Sequence, residues 1–386
     1  MIAPQLLSPA DYLDPAIFTA ERETIFDRFW HLAGLARDVP ETDDWRLVTI
    51  AGTEVILQNI GNGEIRAFTN SCPHRFSAIR TEPKGRGALR CPYHMWAFDG
   101  EGKAAAVPLR GDVALEECQA KNLHLERWAT ALCGEFLFVA RAPEQSLPEF
   151  FGPMADTLVM LSDAISEEAG GFEQDIAANW KIVMQNTVEF DHAFSVHPET
   201  FTPLMIRGRA PEPLPCVPPH IAYLMPMKIP DANKPGIRRI EKIYKHSTLP
   251  PHEGYAHWLL FPATTLGTTF NHQIGLITYQ PVAADRTHAR IRNFIPKLND
   301  LSAGDRAILN HLTPTHIAFT RQLLEEDKRI CETVQRGISN ASPTRRGCLM
   351  PGDKLVGQWQ GYYLDSMDRT MHVSIDASTL GKKRTA

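Results

Sequence analysis

The chain has 386 residues, 43% of them apolar, and a formal net charge of −5. That is more apolar sequence than one small core absorbs, so two cores are predicted. The charge is modest and no basic stripe is interleaved with aromatics, which excludes an electrostatic nucleic-acid surface, and Lys382, Lys383 and Arg384 read as a frayed tail. No run approaches a membrane span, and the first residues lack the basic region of a secretory leader, so a soluble cytoplasmic protein is expected. Of seven cysteines, Cys118, Cys133, Cys216, Cys331 and Cys348 are scattered without paired spacing, which suits free thiols in a reducing compartment.

In chain order, residues Pro15 to Trp30 predict an amphipathic helix with Asp14 as N-cap and Pro15 at its first position. Ile17, Phe18, Ile25, Phe26 and Phe29 form its expected buried face. Short strands follow at Arg46–Ile50, Glu54–Gln58 and Ile65–Thr69, the last two joined by the turn Gly61-Asn62-Gly63, and Gly134–Ala140 reads as a returning strand. Between them lie two loops, Cys72-Pro73-His74-Arg75 and Cys91-Pro92-Tyr93-His94. Each offers one thiolate and one imidazole, whereas a structural zinc finger usually groups its cysteines in one loop and its histidines in the other. One thiolate and one imidazole per loop is what a Rieske [2Fe–2S] cluster requires: Cys72 and Cys91 on one iron, His74 and His94 on the other. A zinc knuckle or two unrelated turns is the bland alternative.

Pro143, Pro148 and Pro153 interrupt the pattern, and a helical stretch is expected to end at Gly170-Gly171, where the second domain begins. Its first chemical constellation runs from Asn179 to Pro198. His192 and His197 are candidate metal ligands, with His192 expected on a helix and His197 after a turn before Pro198. Taken alone, a pair of histidines at this spacing is as readily structural as ligating. Strands are predicted at Ala256–Pro262, Thr264–Phe270, Gln273–Gln280 and Thr287–Phe294, and a helix at Phe319–Gly337 ended by its glycine. Two imidazoles and one carboxylate are the donors of a non-haem iron facial triad. Glu325, Asp327, Glu326 and Glu332 all compete for the carboxylate role.

Together the motifs Cys-x-His-Arg, Cys-Pro-Tyr-His-x-Trp and Asn186-x-x-Glu189-x-x-His192-x-x-x-x-His197 resemble those of Rieske non-haem iron oxygenases, and the likeness covers nearly the whole chain. Phe76 and Met95 depart from it, standing where glycine is common, as does Asp191, where tyrosine often precedes the ligand histidine. A solvent-facing role is expected for Asp191. The resemblance implies an α+β chain: an N-terminal helical segment at 1–35, an antiparallel β Rieske domain at 36–150, a helix-grip catalytic domain with a curved antiparallel sheet at 151–378, and a tail at 379–386. It also implies Asp327 as third ligand beside His192 and His197, and Asn186 as a polar neighbour of the iron. Glu189 is implied to link His192 to His74 or His94 of the partner subunit in a ring-shaped homotrimer.

The implied activity is that of a terminal oxygenase. Electrons from NAD(P)H would arrive through a separate reductase, with or without a ferredoxin, because the chain has no Gly-rich dinucleotide fingerprint. Hydroxylation of a small aromatic, particularly an aromatic acid, is the leading expectation; oxidative N- or O-demethylation is the alternative. A Rieske electron carrier fused to a ligand-binding domain is the reading from another class, and it has no need of His192, His197 and Asp327. Residues 201–251, rich in proline and basic side chains, read as an irregular surface loop or else as a lid. Phe190, Phe194, Phe201, Tyr223, Trp258, Phe270 and Tyr279 read mainly as core, with an aromatic pocket or quaternary-ammonium cage as the alternative.

Overall fold

In a computed structural model of the chain, the described residues are 2–108, 115–117, 120–121, 123–229 and 234–369. Cys118 and the basic tail lie outside them. The chain opens with helix α1 (Pro9–Leu13) and helix α2 (Pro15–Glu21), and the Asp14 carboxylate accepts from the Ala16 amide as the predicted cap. The expected helix to Trp30 does not form. From Arg22 to Phe26 the chain winds into a π-turn, and His31–Leu35 is already strand β1, inside the segment expected to be helical. The wide turn buries Ile25 and Phe26 together, while Ile17 and Phe18 remain half-exposed.

Strands β2 (Asp44–Ile50), β3 (Thr53–Gly61), β4 (Glu64–Thr69), β5 (Lys84–Arg86), β6 (Arg127–Cys133) and β7 (Phe136–Ala140) complete the first sheet. Its order is β1-β7-β6-β4-β3-β2-β5, antiparallel throughout. Helices α3 (Leu147–Phe151) and α4 (Met154–Ala164) lead away from it. Helix α4 stops at Ala164, and Gly170-Gly171 lie within strand β8 (Ile165–Ile176) rather than ending a helix. Close approach explains both glycines: a Cβ on Gly171 would meet the Ile291 carbonyl oxygen at 2.5 Å, and one on Gly170 the Ile317 side chain at 2.6 Å.

Helix α5 (Trp180–Val188) and the single turn α6 (Ala193–Val196) precede β9 (Glu212–Pro213), β10 (Ile221–Pro226) and helix α7 (Pro235–Tyr244). Residues 201–251 are therefore not an irregular loop: they hold two strands of the second sheet and a helix whose Ile240, Ile243 and Tyr244 pack near Leu309. Strands β11 (Gly254–Leu260), β12 (Thr264–Thr269), β13 (Gln273–Ala283) and β14 (Arg286–Pro296) follow. The order is β8-β14-β13-β12-β11-β10-β9, again all antiparallel. Helix α8 (Ala303–Ser339) runs past Gly337 to an Asn340 cap, longer than predicted, and helix α9 (Lys354–Ser366) closes the fold. Gly337 has free space around it and is carried inside the helix at the usual entropic cost.

Both faces of the second sheet are buried, and that fixes how the halves meet. One face sends Trp258, Leu266, Leu276 and Phe294 into a core shared with Leu32, Phe136 and Phe138 of the first sheet and Leu158 and Leu161 of α4. The other sends Tyr223, Leu259, Tyr279 and Ile291 toward Trp180 and Ile182 of α5 and Trp359 and Tyr363 of α9. Arg292 crosses the junction between the halves, donating to both carboxylate oxygens of Asp38 at 2.7 and 2.9 Å and to Glu168. No helix of the described residues is long and apolar enough to cross a membrane.

A buried polar knot ties the N-terminus to α5. Glu21 accepts from Trp180 Nε1 and from the Tyr363 hydroxyl, each at 2.7 Å, and from the Lys181 ammonium. Both Glu21 and Lys181 are buried, and burial pulls the Lys181 pKa below the ordinary lysine value against the attraction of Glu21. Lys181→Met would leave the carboxylate without its counter-charge and should cost on the order of 3–5 kcal/mol, read as a lowered denaturant midpoint. The double variant Glu21→Gln/Lys181→Met should recover part of that loss, because no uncompensated charge then remains buried.

Candidate metal centres

The two Cys-His loops share one backbone plan. The Phe76 amide donates to the Cys72 carbonyl and the Met95 amide to the Cys91 carbonyl, while the amides of Cys72 and Cys91 donate onward to Ser77 and Trp96. Phe76 and Met95 have φ of 58° and 60°, the left-handed region in which glycine is least strained, so the two departures from the family pattern fall at the residues that close the turns. Keeping a side chain there exposes it: Phe76, Tyr93 and Met95 form an apolar tip, with Arg75 over the Tyr93 ring.

Cys72 and Cys91 are buried and free, and their thiols are hydrogen-bond neighbours. Burial pushes the Cys72 thiol up to about 11 despite nearby backbone donors. His74 and His94 stand at the exposed end with ring centroids 4.6 Å apart, and His74 stacks on Trp96. Two thiols inside and two imidazoles outside fit a cluster with one iron held by each pair.

The second centre is assembled from three elements. A spacing of three would set Glu189 and His192 on one face of a continuous helix, but helix α5 ends at Val188 and Glu189 is its extended C-cap. His192 caps the start of α6 and His197 its end, leaving both outside regular helix. Asp327 projects from α8. Nε2 of His192 and of His197 lie 3.4 and 3.1 Å from Asp327 Oδ1. One donor atom from each of the three residues lies within 4.8 Å of the others.

Each ring is steered from behind. His192 Nδ1 lies 2.7 Å from Glu189 Oε2, and His197 Nδ1 lies 2.8 Å from Glu326 Oε2, which also accepts from the Thr200 hydroxyl at 2.7 Å. With Nδ1–H donating to carboxylate, each Nε2 presents its lone pair to the common point. Asn186 Nδ2 donates to Asp327 Oδ1 at 2.7 Å. Burial opposes a charged His192 ring, yet the Asp327 and Glu189 carboxylates push it up to about 9, and the same imidazoles hold Asp327 well below the usual carboxylate range. The two shifts are one mutual attraction, imidazole for carboxylate, that outweighs the burial opposing charge on either group. Two neutral nitrogens and one carboxylate fit a ferrous ion with coordination positions left open.

A family model of the ring hydroxylating alpha subunit catalytic domain matches residues 164–369, and a model of the Rieske [2Fe-2S] domain matches residues 29–117. The chain belongs to the ring hydroxylating alpha subunit family. It is similar to the glycine betaine monooxygenase oxygenase subunit of Chromohalobacter salexigens, 31% identical over 50% of this chain and 43% of the relative. The anthranilate 1,2-dioxygenase large subunit of Acinetobacter baylyi is 26% identical over 48% of this chain and 41% of that one. The chain thus spans less than half the length of these relatives. The quaternary ammonium Rieske monooxygenase CntA in complex with L-carnitine superposes with a TM-score of 0.73, at 18% identity over 96% of each chain. Naphthalene 1,2-dioxygenase from Rhodococcus sp. gives 0.72, at 18% identity over 93% of this chain and 94% of that one. Both structural likenesses are of fold.

Among the remaining expectations, the competing acids separate by contact. Glu326 backs His197, Glu325 accepts from Gln174, and Glu332 accepts from the Ala177 amide. Asp191 is exposed, as expected. A cavity of roughly 840 Å³ of non-atom space, its mouth included, opens on His192, His197 and Asp327. Phe190, Phe201, Tyr223 and Tyr279 line it; Trp258 faces the opposite side of the sheet, Phe194 is exposed, and Phe270 borders a separate apolar pocket with His272 and His316. Glu326 was weighed only as a competing ligand, and Tyr255, His257, Asn293 and Phe319, which also line the cavity, escaped the sequence reading. The alternating register of β11 and β14 is the signal that places Tyr255, His257 and Asn293 on one face, while Phe319 comes from α8.

Proposed function

We propose that this chain is the terminal oxygenase component of a multicomponent Rieske system, with His192, His197 and Asp327 holding ferrous iron and Cys72, His74, Cys91 and His94 holding the cluster. The convergence of two carboxylate-backed Nε2 atoms and one carboxylate on a single point carries this reading. A Rieske electron carrier would have no use for that convergence. When bound, the cluster supplies single electrons and the ferrous ion the capacity to activate dioxygen for insertion into a carbon–hydrogen bond.

The chain's own residues bind, orient and move protons. Glu189 is a positioning residue: it holds the proton of His192 at Nδ1 and borders both the cavity and a second groove lined by Tyr12, Gln185 and Arg345. In the proposed ring-shaped homotrimer, that groove receives the apolar tip, so that the partner subunit's His74 or His94 meets Glu189. A separate reductase, with or without a ferredoxin, draws the electrons from NAD(P)H. Phe201, Tyr223, Tyr279 and Phe319 hold the substrate and keep water from the reacting carbon. The proposed division runs between a Rieske domain at 36–150, extended by the strand His31–Leu35, and a catalytic domain from 151 onward.

Hydroxylation of a small aromatic fits these ring walls. Neither lysine nor arginine lines the cavity among the described residues, so an aromatic acid would find no cationic partner there. Oxidative N- or O-demethylation is the second reading, favoured by the similarity to proteins named for glycine betaine and carnitine oxidation.

Iron and acid-labile sulfide analysis of anaerobically purified protein, with EPR after dithionite and nitric oxide, tests the assignment. A Rieske signal together with a ferrous–nitrosyl signal is expected, and Asp327→Ala should lose only the second. A nitrosyl signal retained in that variant would sink the triad. Glu326→Gln should weaken iron binding at the triad by roughly 10–100-fold, because His197 loses its orienting acceptor. Glu189→Gln should slow single-turnover electron transfer by on the order of tenfold or more, as loss of such an orienting partner typically does, without emptying the iron site. Unchanged transfer would remove the proposed bridge.

A further inference from the structure

One cross-strand row of the second sheet is unlike its neighbours. Reading from β10 to β14 it runs Tyr223, His257, Gly267, Gly275, Asn293, each paired directly with the next. Directly paired residues point to the same face, and all five line the iron cavity. The Tyr255 phenol covers Gly267, where a Cβ would meet its hydroxyl at 2.7 Å, so the bare backbone between His257 and Asn293, whose strands are three spacings apart, roughly 14 Å, lies at Gly275.

Both residues flanking this strip carry unused hydrogen-bonding groups. Asn293 is 2% exposed, and neither its amide nitrogen nor its amide oxygen has a partner. His257 is 3% exposed; its Nδ1 meets the Tyr255 hydroxyl at 2.9 Å and its Nε2 has no partner. With the tyrosine hydroxyl donating to Nδ1, Nε2 carries the ring proton toward the cavity. Burial drops His257 to about 3, so the ring is neutral. Leaving a buried polar atom without a partner is costly, and here three such atoms line one space.

We infer that this trough is the substrate's recognition subsite: a flat molecule lies on Gly275 beside the Tyr255 ring, and Asn293 and His257 hydrogen-bond an un-ionised polar group on it, such as a hydroxyl, an ether or a carbonyl. This rests on the oxygenase reading for its purpose, though not for its binding. A carboxylate is disfavoured because neither lysine nor arginine lines the cavity among the described residues, while Glu189 and Asp327 do. Gly275 is the informative position for blocking the strip. A Cβ there would meet only the Gly267 carbonyl oxygen, at an ordinary 3.8 Å, so a side chain is accepted by the fold but occupies the trough.

The test uses three probes that share one ring: p-cresol, toluene and p-toluate, titrated by calorimetry into the full chain and into Asn293→Leu, His257→Phe and Gly275→Val. The wild-type chain should bind p-cresol at least tenfold more tightly than toluene and p-toluate least. Asn293→Leu and His257→Phe should each shrink the p-cresol preference severalfold while leaving toluene affinity within about twofold. Gly275→Val should abolish binding of both while keeping the wild-type melting temperature. A preference unchanged in both polar variants, p-toluate as the tightest probe, or no measurable binding of any probe would each overturn the subsite. Iron analysis of the same samples separates the two readings. Selective binding by wild-type chain that takes up no iron at the triad would overturn the oxygenase assignment and leave the trough standing; a loaded triad without selectivity would do the reverse.

Discussion

The candidate site depends on three side chains from separate stretches of the chain bringing one atom each to a single point. Around Asp327 stand the Asn186 amide, which donates at 2.7 Å, and two imidazole nitrogens within 3.4 Å. Those imidazoles could rotate away or turn Nδ1 inward were Glu189 and Glu326 not placed behind them. Rotation about a side-chain torsion is a cheap motion, so geometry at a metal depends on what lies one residue further out. Glu326 and Asp327 are neighbours on α8, and that helix therefore supplies both a facing carboxylate and the acceptor that aims the ring opposite it. Moving α8 moves both together.

The sheet beneath obeys a second constraint. With one face packed on the first domain and the other on helices and the cavity, a strand slip of one residue would exchange the two. Arg292, which bonds Asp38 across the domain junction, would then point into the cavity, and Asn293 would point into the junction. Register in β14 thus sets the chemistry of the site and the grip between domains at once. Gly171 keeps the neighbouring strand β8 close against β14.

What could be read from the sequence was whatever depends on local spacing. The Cys-His loops, the strands around them, the Asp14 cap and the strands from Gly254 to Pro296 are set by turn residues and alternation, and they appear where expected within a few residues. Motifs named His192, His197 and Asp327 as candidates, and the fold brings one donor atom of each within 4.8 Å of the others. Local pattern misleads where tertiary contact overrides it. Gly170-Gly171 look like a helix terminator and are points of close approach, Gly171 to strand β14 and Gly170 to Ile317 of helix α8; Arg22–Phe26 look helical and widen into a π-turn with Ile25 and Phe26 both buried. Glu326 looked like one of several surface acids because nothing local reveals that His197, 129 positions away, donates to it.

Helix α8 also contains Pro314, well before Asp327. A proline there has no amide proton to give the carbonyl of Asn310 and crowds that carbonyl with its ring. The rod is thereby divided into two segments joined by a compliant point. The earlier segment carries Leu309, which packs with Ile243 and Tyr244 of α7, and the later one carries Glu326 and Asp327. The contact with α7 and the candidate site thus lie on opposite sides of the missing hydrogen bond, and a shift of α7 would reach Asp327 only through the turn that the proline loosens.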